Sequence, residues 1–557
     1  MSREIYIGSA WPYVNGPLHL GHVAALLPAD VIARYHRLVG DRVLWTSGSD
    51  CHGTPITERA RKEGRTPREV AKEFHDVISH TFDRLGFSYS LYWATMESEH
   101  ISYVQESFRM LYDLGLIIED DYQHAYCALC QDTRTDREIT GRCPHCGNDA
   151  RGDQCDTCGE VLNPSELKNP VCSKCAGAIT FEITRELFFD LPAVETRLRE
   201  WVTTQTHWRD NAKSWTQGWL DQGLKPRAIT RKINWGIPVP LPGWEDRRIY
   251  VWFEAVHGYW TASRQWAVAQ NSNSESWRPF WDADNPNLLT YYVIGKDNIP
   301  FHTLMWPAIL IAERRALPWQ IVASEYLVFE DRKLSTSKGW VLWADDALDR
   351  YDPDFLRYFL IAHGPEHRDT NFTWDRFALS VNGELIDNYG NLVQRVLSFA
   401  SKRFDGKVPL AFELDERDEQ MLNRADNTFA QVGSAIERTE FKQALEMIMA
   451  LVRSANQYLN DAAPWTQIKT DAVRAGTTVA VALNVIMALS ILTEPFLPFQ
   501  AKRVRSMLPM ADEDFRWAMP LLKTGVPFGD VQTLFTKIEP SIIEEEHRRL
   551  EAQLKGL

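Results

Sequence analysis

Apolar positions change period along the chain, and the changes mark its elements. Residues 4–8 (Glu-Ile-Tyr-Ile-Gly) form a short β-prone run, followed by a Pro/Gly/Asn-rich loop from Pro12 to Pro17. From Gly21 apolar residues recur at Val23, Leu26, Leu27, Val31, Tyr35 and Leu38, the period of a helix that ends at Gly40, with a bend expected at Pro28. A second β-prone segment, Arg42 to Thr46, leads into the polar loop Ser47-Gly48-Ser49-Asp50-Cys51-His52-Gly53, completing a strand, helix, strand unit. Strand candidates resume at Ile249–Phe253, Leu289–Ile294 and Gln320–Ala323. From Arg376 onward the pattern is helical, with long amphipathic segments at Leu385–Arg403, Glu416–Leu459 and Ala472–Leu492. The longest apolar run, Val479 to Leu492, is interrupted by Asn484 and Ser490 and falls short of the roughly 20 residues that span a bilayer, so it predicts a buried helix and no membrane.

Composition narrows the reading. The chain has 557 residues, 44% hydrophobic and 24% charged, which suits three or four domains of a globular protein. Met1 to Ala10 lacks a basic region followed by an apolar run, so a cytoplasmic protein is expected. The net charge of −14 means that nucleic acid would have to be met by local basic patches. Eight of the nine cysteines form C-x-x-C pairs between about Asp121 and Thr180, in a Gly/Asp/Pro-rich stretch with too little core to fold alone. The pairs are Cys127/Cys130, Cys143/Cys146, Cys155/Cys158 and Cys172/Cys175, separated by 12, 8 and 13 residues. Tetrahedral thiolate zinc is the natural product, and Gly147 and Gly159 supply the positive φ of a tight knuckle. Spacing alone leaves two pairings, sequential or nested, each giving two four-cysteine sites.

Two motifs carry the chemistry. His19-Leu20-Gly21-His22 lies where a loop enters a helix, so backbone N–H groups, the helix dipole and two imidazoles can face an anionic phosphate. Lys333-Leu334-Ser335-Thr336-Ser337-Lys338-Gly339 is a hydroxyl-rich loop with lysines that could close on a triphosphate. Either alone reads as readily as an ordinary turn or a solvated loop. Together, and in this order, they resemble the two signatures of class I aminoacyl-tRNA synthetases. Four further segments resemble the methionyl-tRNA synthetase family: Ala10-Trp11-Pro12-Tyr13-Val14-Asn15-Gly16, Asp50-Cys51-His52-Gly53-Thr54-Pro55, Tyr250-Val251-Trp252-Phe253-Glu254-Ala255 and Gly295-Lys296-Asp297-Asn298.

The resemblance implies a Rossmann-type α/β catalytic domain with a parallel sheet, a zinc-knuckle insertion and an all-α helix-bundle domain. It divides the chain into a first catalytic half (1–118), the insertion (119–228), a second catalytic half (229–324), a linker with the lysine-serine loop (325–375) and an anticodon-binding domain (376–557). It implies methionyl-tRNA formation from L-methionine, Mg-ATP and tRNA(Met), including the initiator, by a monomer. His19, Gly21, His22, Gly295, Asp297, Lys333, Ser335 and Ser337 would meet ATP, and His19, His22, Arg231, Lys333 and Lys338 would assist the reaction. Asp50 would hold the α-ammonium, and Ala10, Trp11, Tyr13, Val251, Trp252, Ala255, Tyr259, His302 and Trp306 would surround the methionine, where sulfur–aromatic contacts contribute roughly 0.3 to 1.5 kcal/mol each. One-zinc relatives retain ligands matching Cys143, Cys146, Cys155 and Cys158, which favours nesting, with Cys127, Cys130, Cys172 and Cys175 as the second structural site. Asn391, Arg395, Pro464 and Trp465 match anticodon-reading positions, where an indole stacks an unpaired base. The chain departs from the family at Thr336, where many relatives have lysine, at Val256-His257, and at Asn298.

Overall fold

The computed structural model describes residues 2–134, 136–155, 157–160, 162–270, 275–334, 339–510 and 515–555. Five parallel strands form the central sheet: β1 (Glu4–Ser9), β2 (Arg42–Ser49), β3 (Leu91–Ala94), β6 (Leu288–Gly295) and β7 (Gln320–Ser324). Their order is β7-β6-β1-β2-β3, so the chain builds outward from β1 first on one side and then on the other. The crevice at the carboxyl ends, where that direction reverses beside β1, is where open α/β sheets bind ligands. Both faces are covered, as parallel sheets require. Trp45 and Tyr291 face the layer containing helix α1 (Leu20–Val39), whereas their neighbours Leu44 and Tyr292 face the opposite layer, following the two-residue period of a strand. Helix α1 ends as its pattern predicts, with Gly40 at φ 94°.

The insertion leaves the sheet as a stalk of two long strands, β4 (Ile117–Cys127) antiparallel to β5 (Ile179–Phe189), in register from Ile117 opposite Phe189 to Cys127 opposite Ile179, with a short strand on each outer edge. The knuckles sit at the far end of the stalk. Their core cluster is small, and Cys127, Cys143, Cys155 and Cys172 are themselves part of it.

The C-terminal part is a bundle of α2 (Asn391–Arg403), α3 (Glu416–Glu437), α4 (Phe441–Ala462) and α5 (Ala472–Thr493). Buried Arg357, on the helix Pro353–Ala362, ties this bundle to the sheet. Its Nη2 donates to Asp30 Oδ2 of α1 at 2.6 Å and to the Pro495 carbonyl at 3.0 Å, while Nε donates to the Phe496 carbonyl at 2.8 Å. Helix α5 has 22 residues, longer than the apolar run Val479–Leu492 within it, and is long and apolar enough to cross a membrane. However, 94% of its most apolar window is buried inside the protein, the placement expected of a bundle's central helix.

Three expectations need correction. Ile249–Phe253 is not a strand: only Arg248–Ile249 pairs, with Thr230–Arg231, and the chain then turns into a short helix, Val251–Ala255. The segment Glu416–Leu459 divides in two where Thr439 takes a φ of 62°. The segment Leu385–Arg403 begins in a wide π-helical stretch, Ser380–Gly390, before α2.

Candidate active site and metal centres

At the carboxyl edge, the loop after β1 folds back on the residue after β2. Asp50 N–H donates to the Pro12 carbonyl at 2.9 Å and Val14 N–H to the Asp50 carbonyl at 3.2 Å, so Tyr13 and Asp50 form a one-residue parallel bridge. The Tyr13 hydroxyl donates to the His52 carbonyl. Ala10 is held against β6 by its N–H to the Val293 carbonyl, 2.9 Å. Trp11 wedges between Gly48 and Gly258, where an added Cβ would collide with its indole.

Across the crevice, Trp252 stacks on Phe301, ring centres 4.5 Å apart at 18°. Tyr13, His52, Arg231, Val251 and Trp252 line one cleft. Ala255 closes the short helix, half-buried. Tyr259 and His302 are buried behind it: the Tyr259 hydroxyl donates to His302 Nε2 at 2.7 Å, and His302 Nδ1 donates to the Asn298 carbonyl at 2.9 Å. Burial pushes the His302 imidazole down to about 4, so it is neutral at pH 7 and can accept. Trp306 is fully buried, donates to the Tyr292 hydroxyl at 2.9 Å and lies 6.2 Å from the Tyr259 ring.

The His19-Leu20-Gly21-His22 motif is equally constrained. His19 precedes the first turn of α1, and its ring stacks on His22 with centres 3.7 Å apart. The His19 N–H donates to His22 Nδ1 at 3.3 Å. Burial lowers His19 to about 4 and His22 well below its ordinary value, so both imidazoles are neutral. A Cβ on Gly21 would lie 2.9 Å from His19 Nδ1 and 3.1 Å from Leu334 Cδ1, which places the start of the lysine-serine loop over the motif. Lys333 is exposed, its Nζ 5.5 Å from the Tyr326 ring. Ser335, Thr336, Ser337 and Lys338 lie outside the described residues. Gly295 ends β6 with the Asp297 carboxylate folded over it.

Arg231 is buried between Tyr122 and Tyr250, its guanidinium carbon 5.0 and 4.5 Å from their ring centres, and donates to Asp136 Oδ2 of the insertion at 2.8 Å. Sequence reasoning named the arginine and missed this partner, 95 residues away. It also missed the buried Glu254, which accepts from His52 Nδ1 and His100 Nε2, both at 2.8 Å. His257, one of the departures, is fully buried between the Phe253 carbonyl and Ser107 Oγ, each 3.0 Å away. It is a core group behind the crevice.

The cysteines gather into two nests: Cys143, Cys146, Cys155 and Cys158, and Cys127, Cys130, Cys172 and Cys175. Sγ–Sγ separations of 3.5 and 3.8 Å in the first, and 3.4 to 3.9 Å in the second, bracket the ~3.8 Å edge of a tetrahedron with metal–sulfur bonds of about 2.3 Å, so both donor sets fit a tetrahedral zinc. The knuckle turns repeat: the Gly147 N–H donates to the Cys143 carbonyl at 3.0 Å and the Gly159 N–H to the Cys155 carbonyl at 2.8 Å, with φ of 75° and 77°. Gln131 and Ala176 occupy the same left-handed region in the other nest without glycine's freedom.

In the bundle, Asn391 Nδ2 donates to the Asp387 carbonyl at 3.0 Å and Arg395 Nη2 to Asn460 Oδ1 at 3.3 Å. Pro464 is buried at the start of the helical turn Pro464–Gln467, whereas Trp465 is exposed beside Arg395.

Residues 5–397 match the family described as tRNA synthetases class I (M), and residues 408–555 that described as the anticodon binding domain of methionyl tRNA ligase. The chain is 42% identical to the methionine–tRNA ligase of Thermomicrobium roseum, with 99% of this chain and all of the relative aligned, and 42% identical with the same coverage to that of Bacillus mycoides. Among solved structures it is similar to Mycobacterium tuberculosis methionyl-tRNA synthetase in complex with methionyl-adenylate, at a TM-score of 0.80 and 25% identity, covering 96% of this chain and 99% of that one. Matched along almost its entire length in sequence and in fold, the chain belongs to the methionine–tRNA ligase family of class I aminoacyl-tRNA synthetases.

Proposed function

We propose that the crevice at the carboxyl ends of β1, β2 and β6 binds methionine and ATP and that the chain makes methionyl-tRNA(Met), initiator included, through methionyl-adenylate. The observation that carries this reading is the meeting of Asp50, Tyr13 and Trp252 at the mouth of one sheet. Asp50 takes the α-ammonium, and Ala10, Trp11, Tyr13, Val251, Trp252 and Ala255 surround the side chain, backed by Tyr259, His302 and Trp306.

In the first step a methionine carboxylate oxygen attacks the α-phosphorus of Mg-ATP and pyrophosphate leaves. The protein supplies position and charge rather than a covalent nucleophile. His19 and His22, neutral at rest, offer ring N–H donors and the start of α1 its backbone amides to the leaving group. Lys333 and Lys338 add cations from the loop, with Ser335 and Ser337 beside them, and Arg231 assists from the insertion side. Gly295 admits the nucleotide's ribose and Asp297 accepts from its hydroxyls. In the second step the terminal ribose 2′-hydroxyl of tRNA attacks the methionyl carbonyl carbon and AMP leaves.

The two cysteine nests would each hold a structural Zn²⁺, whose chemistry is to staple the insertion. Eight thiolates with two Zn²⁺ add about −4 of charge, which suits a guide for the acceptor end better than a phosphate grip. Residues 1–118 and 229–324 form the catalytic halves, 119–228 the insertion, 325–375 the linker and 376–557 the anticodon domain, in a monomer acting in the cytoplasm. ATP–pyrophosphate exchange across the twenty amino acids tests the reading: the highest rate is expected with methionine, and a higher rate with any other amino acid overturns the substrate.

A further inference from the structure

Glu254 is fully buried, two residues beyond Trp252 on the short helix Val251–Ala255. Its oxygens are taken one each, Oε1 by His52 Nδ1–H and Oε2 by His100 Nε2–H, both at 2.8 Å. Burial alone would raise this carboxyl. The charge and hydrogen bonds of the two imidazoles outweigh it and hold the group below the usual carboxylate range, so it is an anion in an apolar layer. Such an anion is costly to bury unless both oxygens are satisfied, and here they are, which fixes the position of each imidazole closely.

His52 passes that constraint to the substrate side. Its carbonyl accepts the Tyr13 hydroxyl, and its N–H donates to Asp50 Oδ1 at 3.4 Å. Its ring stands edge-on to Trp235, centres 5.2 Å apart, on the wall of the same cleft. The side chain of residue 52 is therefore pinned to the second catalytic half, while its backbone holds the ammonium-directed carboxylate and the tyrosine of the first half. His100, from the helix Ser98–Asp113, braces the pin from behind.

We infer that Glu254 is a positioning residue for the methionine pocket, acting through His52 to set Asp50 and Tyr13 at a fixed distance from Trp252. The inference rests on the pocket reading above. The ATP-directed groups His19, His22 and Lys333 share none of these contacts, so loosening the pin acts on methionine and spares ATP.

ATP–pyrophosphate exchange by the full chain carrying Glu254→Gln tests this, because the amide keeps the volume and removes an acceptor from one imidazole. The KM for methionine is expected to rise about tenfold, as a misplacement of a fraction of an ångström would produce, with the KM for ATP within twofold. A loss of kcat alone with both KM values unchanged, or an equal rise in both, overturns it, since either marks a merely structural residue. Should the variant not fold, His100→Gln, which gives up the far oxygen of Glu254 and a ring 6.4 Å from that of Trp11, is expected to raise the methionine KM by a smaller factor, and an unchanged value overturns the inference. Asp50→Ala is measured alongside. If it leaves the methionine KM unchanged, the pocket reading itself fails; if it raises that KM while Glu254→Gln does not, only the pin fails.

Discussion

Arg395 lies over the indole of Trp465, its guanidinium carbon 4.6 Å from the ring centre, although the two residues come from α2 and from the turn that follows α4. Trp465 is 36% exposed, an arrangement that leaves indole surface for a second flat partner. Base stacking on an aromatic side chain contributes roughly 1 to 3 kcal/mol, so Trp465→Ala is expected to raise the KM for tRNA(Met) by about ten- to a hundredfold. Methionine-dependent pyrophosphate exchange, which needs no tRNA, should stay unchanged. Aminoacylation kinetics beside exchange kinetics separate the two, and a tRNA KM within twofold of the parent refutes the contact.

The nested cysteines make a stoichiometric prediction. The purified chain should carry two zinc ions, and Cys155→Ala or Cys172→Ala should each leave one, because each removes a ligand from a different nest. With so few apolar side chains in the knuckle core, chelation should also melt the insertion ahead of the sheet. Elemental analysis of the single variants decides: loss of both ions from either one would mean that the nests are not independent.

Local signals carried much of this architecture, while long-range pairing stayed hidden. The strand, helix, strand unit at the N-terminus follows from periodicity and Gly40, and the cysteine spacing points to two four-cysteine clusters but leaves their pairing open. Ile249–Phe253 misled because an unbroken apolar run carries no period: Phe253 and Glu254 are both buried, one a hydrophobe and one an ion held by histidines 202 and 154 residues away. The break between α3 and α4 was masked because buried residues continue across it, from Ile436 to Phe441, while the turn depends on the backbone of Thr439. Asp136 could not be matched to Arg231 from sequence, since nothing local marks either as buried.

Stability should depend on pH through the buried histidines. Burial holds His19, His257 and His302 at about 4 in the folded chain, against an ordinary value of 6.5 when unfolded. Their contribution is complete above pH 6.5 and is lost as pH falls from there toward 4, where only the unfolded chain takes up the protons. Asp354 works oppositely. Burial raises it to about 8, so over the same window the folded state holds a proton that the unfolded state lacks. These histidines, with His22 lowered alongside them, outnumber the one carboxyl, so unfolding takes up protons across this window and stability falls as pH falls. Urea midpoints should therefore drop between pH 6.5 and 4.5, and a flat profile would show these imidazoles to be hydrated.

Gly21→Ala sets stability against chemistry. Alanine is a better helix former than glycine by up to about 1 kcal/mol, and Gly21 lies in the first turn of α1 at an unexceptional φ, so on backbone grounds the substitution should be neutral or mildly stabilising. The new methyl, however, would sit 2.9 Å from His19 Nδ1 and 3.1 Å from Leu334 Cδ1, closer than ordinary carbon contacts allow. The leucine methyl can swing aside, but the His19 ring cannot yield freely, because it is stacked on His22. The expected result is a variant that melts within a few degrees of the parent while kcat for pyrophosphate exchange falls about a hundredfold, since displacing phosphate-directed groups by an ångström costs that much. The methionine KM should stay within threefold, because Tyr13, Asp50 and Trp252 are held by contacts that do not include Gly21. Exchange kinetics with a thermal melt check both halves, and a variant of unchanged kcat would remove the motif and its loop from the phosphate chemistry.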